Sequence, residues 1–313
     1  MRVLASRSFP GPAWDALGDV ELVDWPLSNP RPGAQVLAVV ATTVGAPELE
    51  LLPDLRLVAN YGVGYDGIDV AACAARGVAV SNTPEALGVA TADLTMALVL
   101  ATRRRIVEGD RFVRGGRWGT EWVAGALMGD EIAGATIGIV GLGRIGRAVA
   151  RRAQAFDMRV VYTRRSRERE EGLDQLELDD LLRASDVVTL HAPLTDETRR
   201  LIDARRLRLL RDGASLVNTA RGAIVDEEAL VMELRSGRIR AGLDVFVDEP
   251  NVPASLLELP NVILLPHIGS ATVATREAAT AELVANIRAA LDGREPTNLV
   301  PGSATLTDAE NAG

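Results

Sequence analysis

The sequence predicts an α/β protein of two doubly wound parallel sheets with a cleft between them, and three observations lead there. Short runs dense in Val, Ile, Leu and Ala recur along the chain with helical segments between them, as expected for parallel strands covered on both faces. One run opens directly into a glycine-rich turn and a further helix. Two long helical stretches divide the runs into two sets. A chain of 313 residues, 47% hydrophobic and 25% charged, has the material for two medium domains.

In the first set, strands are expected near Arg2–Ala5, Glu21–Asp24, Val36–Val40, Arg56–Asn60 and Val78–Ser81. In the second they recur near Thr136–Val140, Arg159–Thr163, Asp186–Leu190, Ala214–Asn218, Ala241–Asp244 and Val262–Leu265. The stretch PEALGVATADLTMALVLATRRRI predicts a helix with Pro84 in its first turn and Arg103–Arg105 as a solvated, dipole-compatible end. ATREAATAELVANIRAALDG predicts the closing helix, stopped at Gly293, before a frayed tail. The expected domains are 1–92 completed by 277–313, and 93–276.

Composition removes several function classes. A net charge of −9 and a pI near 5.0 oppose a nucleic-acid surface. No apolar run reaches the roughly 18 residues of a membrane span, and the start MRVLASRSFPGPAWDAL lacks a signal-peptide core, so a cytoplasmic location without a membrane partner is expected. Cys73 is the single cysteine, which forbids an internal disulfide and a cysteine-cluster metal site; within DVAACAARG it reads as a buried thiol, and no metal is expected. All 34 basic residues are arginine, which excludes lysine Schiff-base chemistry. Proton transfer near neutral pH falls to two histidines, His191 and His267.

The segment ATIGIVGLGRIGRAVARRAQAF carries Gly141-x-Gly143-x-x-Gly146 between an apolar strand and a helix whose Ile145, Ala148, Val149 and Phe156 recur at helical spacing. In that context the glycines allow a tight turn, close approach to a pyrophosphate and close helix–strand packing. The helix start at Arg144 and Ile145 faces the anion. The following strand does not end in the acid that holds an adenosine ribose. It ends in Tyr162-Thr163 and continues Arg164-Arg165-Ser166, which offers donors and positive charge to a 2′-phosphate. NADP(H) is therefore the preferred cofactor and NAD(H) a possible one. The mixed charge of residues 166–171 leaves open that both arginines are solvated.

Three further segments carry chemistry: SLVNTARGAIVDEEAL with Arg221, AGLDVFVDEP with Asp244 and Glu249, and NVILLPHIGSAT with His267. With the glycine loop, NYGVGYDGIDV (Asn60–Val70) and LHAPLTDETRRLI (Leu190–Ile202), they resemble the D-isomer-specific 2-hydroxyacid dehydrogenase family over nearly the whole chain. LPHIGSAT and the arginine loop are most similar to the glyoxylate/hydroxypyruvate reductases.

The resemblance implies a flavodoxin-like substrate-binding domain and a Rossmann dinucleotide-binding domain. It also implies roles for single residues. Arg221 would pair with the substrate carboxylate and polarise its carbonyl. His267 would protonate the carbonyl oxygen, and Glu249 would hydrogen-bond His267 and favour its charged form. Amides near Val63 and Gly64 would hold the carboxylate, with Ser270 a further substrate contact. Asp244 would meet the nicotinamide amide. Pro193, Thr198, Thr219, Ala220 and Gly269 would line the cofactor. A homodimer is implied, with the Pro84–Ile106 helix near its interface.

Asp226 reads instead as a helix N-cap, and His191 as a strand-end residue that packs or bonds locally. In GGRWGTEWVAGALMGDEIAG, Trp118 and Trp122 are kept, whereas Ala124–Ala126 before Leu127-Met128 departs from relatives in a region that shapes the substrate pocket, leaving substrate size open. A sequence ending near residue 313, without the regulatory extension seen on many phosphoglycerate dehydrogenases, makes a 3-phosphoglycerate role the weaker expectation without excluding it. The expected reaction is reduction of glyoxylate or hydroxypyruvate to glycolate or D-glycerate. The alternatives are a D-lactate, 3-phosphoglycerate, phosphite or formate dehydrogenase, or a dinucleotide-sensing binding protein, which needs no Arg/Glu/His set.

Overall fold

The computed structural model describes residues 2–119, 125–166 and 168–306. Five strands come first: β1 (Arg2–Ala5), β2 (Val20–Leu22), β3 (Ala34–Val39), β4 (Leu57–Asn60) and β5 (Ala79–Ser81). Seven follow: β6 (Thr136–Val140), β7 (Arg159–Thr163), β8 (Asp174–Gln175), β9 (Val187–Leu190), β10 (Ser215–Asn218), β11 (Arg240–Leu243) and β12 (Val262–Leu264). β8 was not expected. It consists of two polar residues held against Val161 and Tyr162 of β7, with no apolar run to mark it.

The chain forms two compact units, Met1–Leu87 with Ser270–Gly313, and Gly88–Gly269. The expected breaks at 92/93 and 276/277 fall inside the helices Gly88–Arg103 and Val273–Leu291. The observed breaks leave both helices whole, because a cut within a helix would part residues joined by its i to i−4 hydrogen bonds.

The first unit holds a five-stranded parallel sheet, ordered β2-β1-β3-β4-β5. The second holds a seven-stranded parallel sheet, ordered β12-β11-β10-β9-β6-β7-β8. In this second sheet the chain adds β7 and β8 on one side of β6, then returns to place β9 on the other. The order reverses at β6, and all strands deliver their C-terminal ends to one edge. Open parallel sheets bind ligands at such a switch point.

Strand periodicity explains why this sheet is covered on both faces. Val160 and Tyr162 of β7 join Ile137 and Ile139 of β6 in one buried cluster, while Val161 joins Val140, Val188 and Leu190 in the other. Tyr162 is fully buried, a large side chain fixed beneath the loop that follows β7.

Two helix expectations are corrected. The helix starts at Gly88, so Pro84 lies in the preceding connection rather than in its first turn. Arg103 is not solvated: it is 7% exposed, and its guanidinium donates to the carbonyls of Glu131 at 2.9 and 3.1 Å and of Asp186 at 3.4 Å. Charge in the sequence could not reveal that two backbone carbonyls wait within reach. The closing helix is capped by Thr272, which accepts from the Thr275 amide, and Gly293 beyond its end takes φ 72°. Cys73 is buried, and burial pushes its thiol up to about 11. Among the described residues, no helix is long and apolar enough to cross a membrane.

Candidate active site

The glycine loop leaves the C-terminal end of β6, and each glycine meets a different demand. Gly141 takes φ 97°, and a Cβ there would lie 2.8 Å from the backbone at His191 and Ala192. A Cβ on Gly146 would lie 2.2 Å from the carbonyl oxygen of Gly141, so the helix rests directly on the strand. Gly143 is the N-cap of helix Arg144–Ala155, and a Cβ there would face open space. This helix start has no side-chain cap and no acid in its first turn. Uncapped amides beside an open glycine fit a dinucleotide pyrophosphate. Arg144 opens the helix, and Ile145 is packed against the core.

Thr163 ends β7, adjacent to this loop through the Gly141 amide, which donates to the Thr163 carbonyl at 2.9 Å. The two arginines that follow differ. Arg165 is 91% exposed, with Glu197 at 3.8 Å. Arg164 is 12% exposed, lies 5.7 Å from the centre of the Tyr162 ring, has Glu170 at 3.7 Å and donates to the Glu168 carbonyl. The Ser166 hydroxyl accepts from the Glu168 amide at 3.2 Å.

Beyond β10, the side chain of Asn218 folds the next turn back on itself. Its amide donates to the Arg221 carbonyl at 2.9 Å, and its oxygen accepts from the Ala220 amide at 3.0 Å. Arg221 Nη1 donates to the Ala220 carbonyl at 2.8 Å. Gly222 is pressed onto the following loop: a Cβ there would lie 2.0 Å from the carbonyl carbon of Phe246. Sequence reading missed Asn218; the signal available was its place at a strand end, three residues before the arginine. Asp226 caps the next helix by accepting from the Ala229 amide at 3.1 Å, as expected.

The loops after β11 and β12 bring Glu249 and His267 together, with Glu249 Oε2 2.7 Å from His267 Nδ1. The other oxygen of Glu249 accepts from the Phe246 amide at 3.0 Å. Burial opposes ionisation of Glu249. The His267 hydrogen bond, the Phe246 amide and the charges of His267 and Arg221 outweigh it, so the carboxyl lies below its usual range. His267 itself takes the left-handed conformation, φ 52°.

Asp244 is what holds that turn. It is 1% exposed, and its two oxygens accept from the amides of Ile268 and Gly269 at 2.8 and 2.7 Å, while its carbonyl accepts from the His267 amide at 3.0 Å. Burial pushes its carboxyl up against these bonds.

Thr198 closes a turn, its hydroxyl donating to the Pro193 carbonyl at 2.6 Å and accepting from the Thr195 amide at 2.7 Å. Thr219 Oγ1 lies 2.9 Å from Thr95 Oγ1. His191 directly follows β9 with Nε2 shielded and unpartnered, and burial lowers its imidazole to about 3, so the ring is neutral. In the first unit, the carbonyls of Val63 and Gly64 accept from Asn82 at 2.8 Å and Asn60 at 3.0 Å, and the Ser270 carbonyl accepts from Thr272 at 2.9 Å. Trp118 and Met128 are exposed, whereas Trp122 and Ala124 lie outside the described residues. Among the described residues, no group of three or more His, Cys, Asp or Glu is placed to hold a metal.

Comparison with known proteins shows the family of the chain and its fold. Residues 96–269 match the profile of the D-isomer specific 2-hydroxyacid dehydrogenase NAD-binding domain. The chain is 48% identical over 274 residues to a glyoxylate reductase of Thermococcus onnurineus, covering 85% of this chain and 82% of that one. The solved TT0316 protein of Thermus thermophilus superposes with a TM-score of 0.89 at 45% identity, over 96% of this chain and 100% of that one. An NADPH-dependent glyoxylate/hydroxypyruvate reductase of Sinorhizobium meliloti, solved with NADP and malonate, superposes with a TM-score of 0.88 at 35% identity, over 97% and 98%.

Proposed function

From the premise that the chain belongs to the D-isomer-specific 2-hydroxyacid dehydrogenase family, we propose that it is an NADPH-preferring reductase of glyoxylate and hydroxypyruvate. Membership makes it an NAD(P)-dependent oxidoreductase acting on small 2-oxo acids. The observation that supports the catalytic part of this reading is the Glu249–His267 pair with the Arg221 charge beside it, on the strand-end edge that also carries the glycine loop.

When bound, the reduced nicotinamide supplies the hydride that reaches the substrate carbonyl carbon. Arg221 is the permanently charged partner for the substrate carboxylate, and its charge polarises the carbonyl. Glu249 occupies Nδ1 of His267, which leaves Nε2 to give a proton to the carbonyl oxygen. Asn218 fixes the backbone at Arg221, and Asp244 fixes the backbone at His267. Thr163, Arg165 and Ser166 are the groups offered to a 2′-phosphate, supported by the exposure of Arg165 and the lack of an acid at Thr163. The same reading takes the chain as a homodimer; the helix Gly88–Arg103 is largely buried in its own unit, so the exposed Ile106 and Val113 beyond it are the better candidates for contact.

The test is a comparison of initial rates of glyoxylate and hydroxypyruvate reduction with NADPH and NADH at matched concentrations. The expected result is reduction of both acids with NADPH favoured. Absence of reduction with either cofactor overturns the proposal.

A further inference from the structure

We propose that Glu170 is a specificity-determining residue: its carboxylate competes with the cofactor 2′-phosphate for Arg147 and Arg164, and so limits the NADPH preference that Arg165 confers. This inference rests on the NADPH reading above and adds a residue that opposes it.

Glu170 is not a solvated acid that happens to lie nearby. Arg147 Nε donates to its two oxygens at 2.9 and 3.0 Å, and Arg147 Nη2 donates to Oε2 at 2.9 Å. Arg147 stands in the first turns of the helix that follows the glycine loop, its amide bonded to the Gly143 carbonyl at 2.9 Å. On the other side, Arg164 Nη1 lies 3.7 Å from Oε2.

The backbone is pinned as well. The Glu170 amide donates to the hydroxyl of buried Tyr162 at 2.8 Å. The Gln175 side chain donates to the Ser166 carbonyl at 3.1 Å and, more weakly, to that of Arg164 at 3.4 Å. The loop after β7 is thereby tied at both ends to β7 and β8. The carboxylate sits between two arginines, in the stretch that also presents Thr163 and Arg165.

The electrostatic consequence has a definite sign. The Arg147 hydrogen bond, with the Arg147 and Arg164 charges, keeps Glu170 ionised by lowering its pKa against burial. A 2′-phosphate carries close to two negative charges at neutral pH and seeks the same guanidinium donors. With Glu170 in place, Arg164 is drawn back over the Tyr162 ring and Arg147 is engaged by its fork, so the phosphate meets Arg165 and a neighbouring negative charge. A dinucleotide with a free 2′-hydroxyl experiences little of this repulsion.

The experiment is calorimetric binding of 2′,5′-ADP and of 5′-ADP to the full chain, in the native sequence and in Glu170→Gln, Glu170→Ala and Arg165→Ala. Removing one partly exposed charge should tighten 2′,5′-ADP about fivefold in both Glu170 variants, with 5′-ADP moving less than about twofold. The KM for NADPH should fall in parallel. If the native chain favours 2′,5′-ADP and Arg165→Ala abolishes that preference, yet both Glu170 variants bind it unchanged or more weakly, the inference is overturned and Glu170 is scaffold for the loop. If the native chain shows no preference for 2′,5′-ADP over 5′-ADP, the NADPH reading itself fails, and the role of Glu170 fails with it.

Discussion

Nδ1 of His267 lies 2.7 Å from Oε2 of Glu249, and the second oxygen of that carboxylate is fixed by the Phe246 amide at 3.0 Å. The pair is therefore oriented from the carboxylate side, with one ring nitrogen committed. Replacing His267 with alanine removes the proton donor and should lower turnover at least ~100-fold. Glu249→Gln keeps a hydrogen-bond acceptor but removes the countercharge to an imidazolium, so the pH at which reduction fails should move down. An unchanged pH–rate profile would remove Glu249 from the mechanism. The depressed Glu249 carboxyl also stabilises the fold fully above its unfolded value of 4.5, a contribution lost as pH falls through the lower folded value. Acid melting of Glu249→Gln should therefore be shallower than that of the native chain.

Arg221 separates charge from geometry. Its backbone is held by Asn218 on one side, and Gly222 packs without room on the other. Arg221→Ala should lower kcat/KM at least ~100-fold, and Arg221→Lys should recover only part of it, because an ammonium cannot reproduce the planar fork. Full activity in the alanine variant would reject its assigned role.

Asp244 tests whether a residue assigned to the cofactor acts instead through the backbone. Both its carboxylate oxygens accept from consecutive amides beside His267. Asp244→Asn must turn a donor toward one of those amides, a conflict of about 1–3 kcal/mol in a buried site. The expected result is a fall in kcat with cofactor Kd nearly constant, since the left-handed His267 turn is what loosens. A raised cofactor Kd at unchanged kcat would identify Asp244 as a cofactor contact.

What the sequence could reveal follows from how each feature is encoded. Strands such as Thr136–Val140 and Arg159–Thr163 were legible to the residue, because fully covered parallel strands write long apolar runs. The glycine loop stood out because its spacing matches a motif, Arg221, Glu249 and His267 because their segments resemble those of a known family, and the Asp226 cap because its chemistry is local. β8 was invisible, since two polar residues pair only because Tyr162 and Val161 present an open edge. The burial of Arg103 and the grip of Glu170 on Arg147 depend on partners 28 and 23 residues away, which no local pattern records. Asn218 and Asp244 were readable as strand-end polar residues, but their bonds to backbone amides and carbonyls came from the fold.

The glycines of the loop after β6 offer a prediction in which stability and binding part company. At Gly146 an added Cβ would lie 2.2 Å from the Gly141 carbonyl oxygen and 3.2 Å from Ile139, so the helix must lift from the strand. Gly146→Ala should cost about 1–3 kcal/mol of stability, as overpacking does, and weaken the cofactor indirectly by shifting the helix start. At Gly143 the same Cβ meets nothing within 4 Å, and the backbone at φ −83° suits any residue. Gly143→Ala should therefore melt at the native temperature, or slightly above it, since alanine has fewer unfolded conformations to lose. Its added methyl occupies the space through which a pyrophosphate approaches the helix amides, so dinucleotide binding should weaken at least ~10-fold. Thermal melts with and without cofactor separate the two variants: a lower melt without ligand for Gly146→Ala, and a lost ligand-induced shift for Gly143→Ala. A native ligand-induced shift in Gly143→Ala would mean that the pyrophosphate does not rest on this helix start.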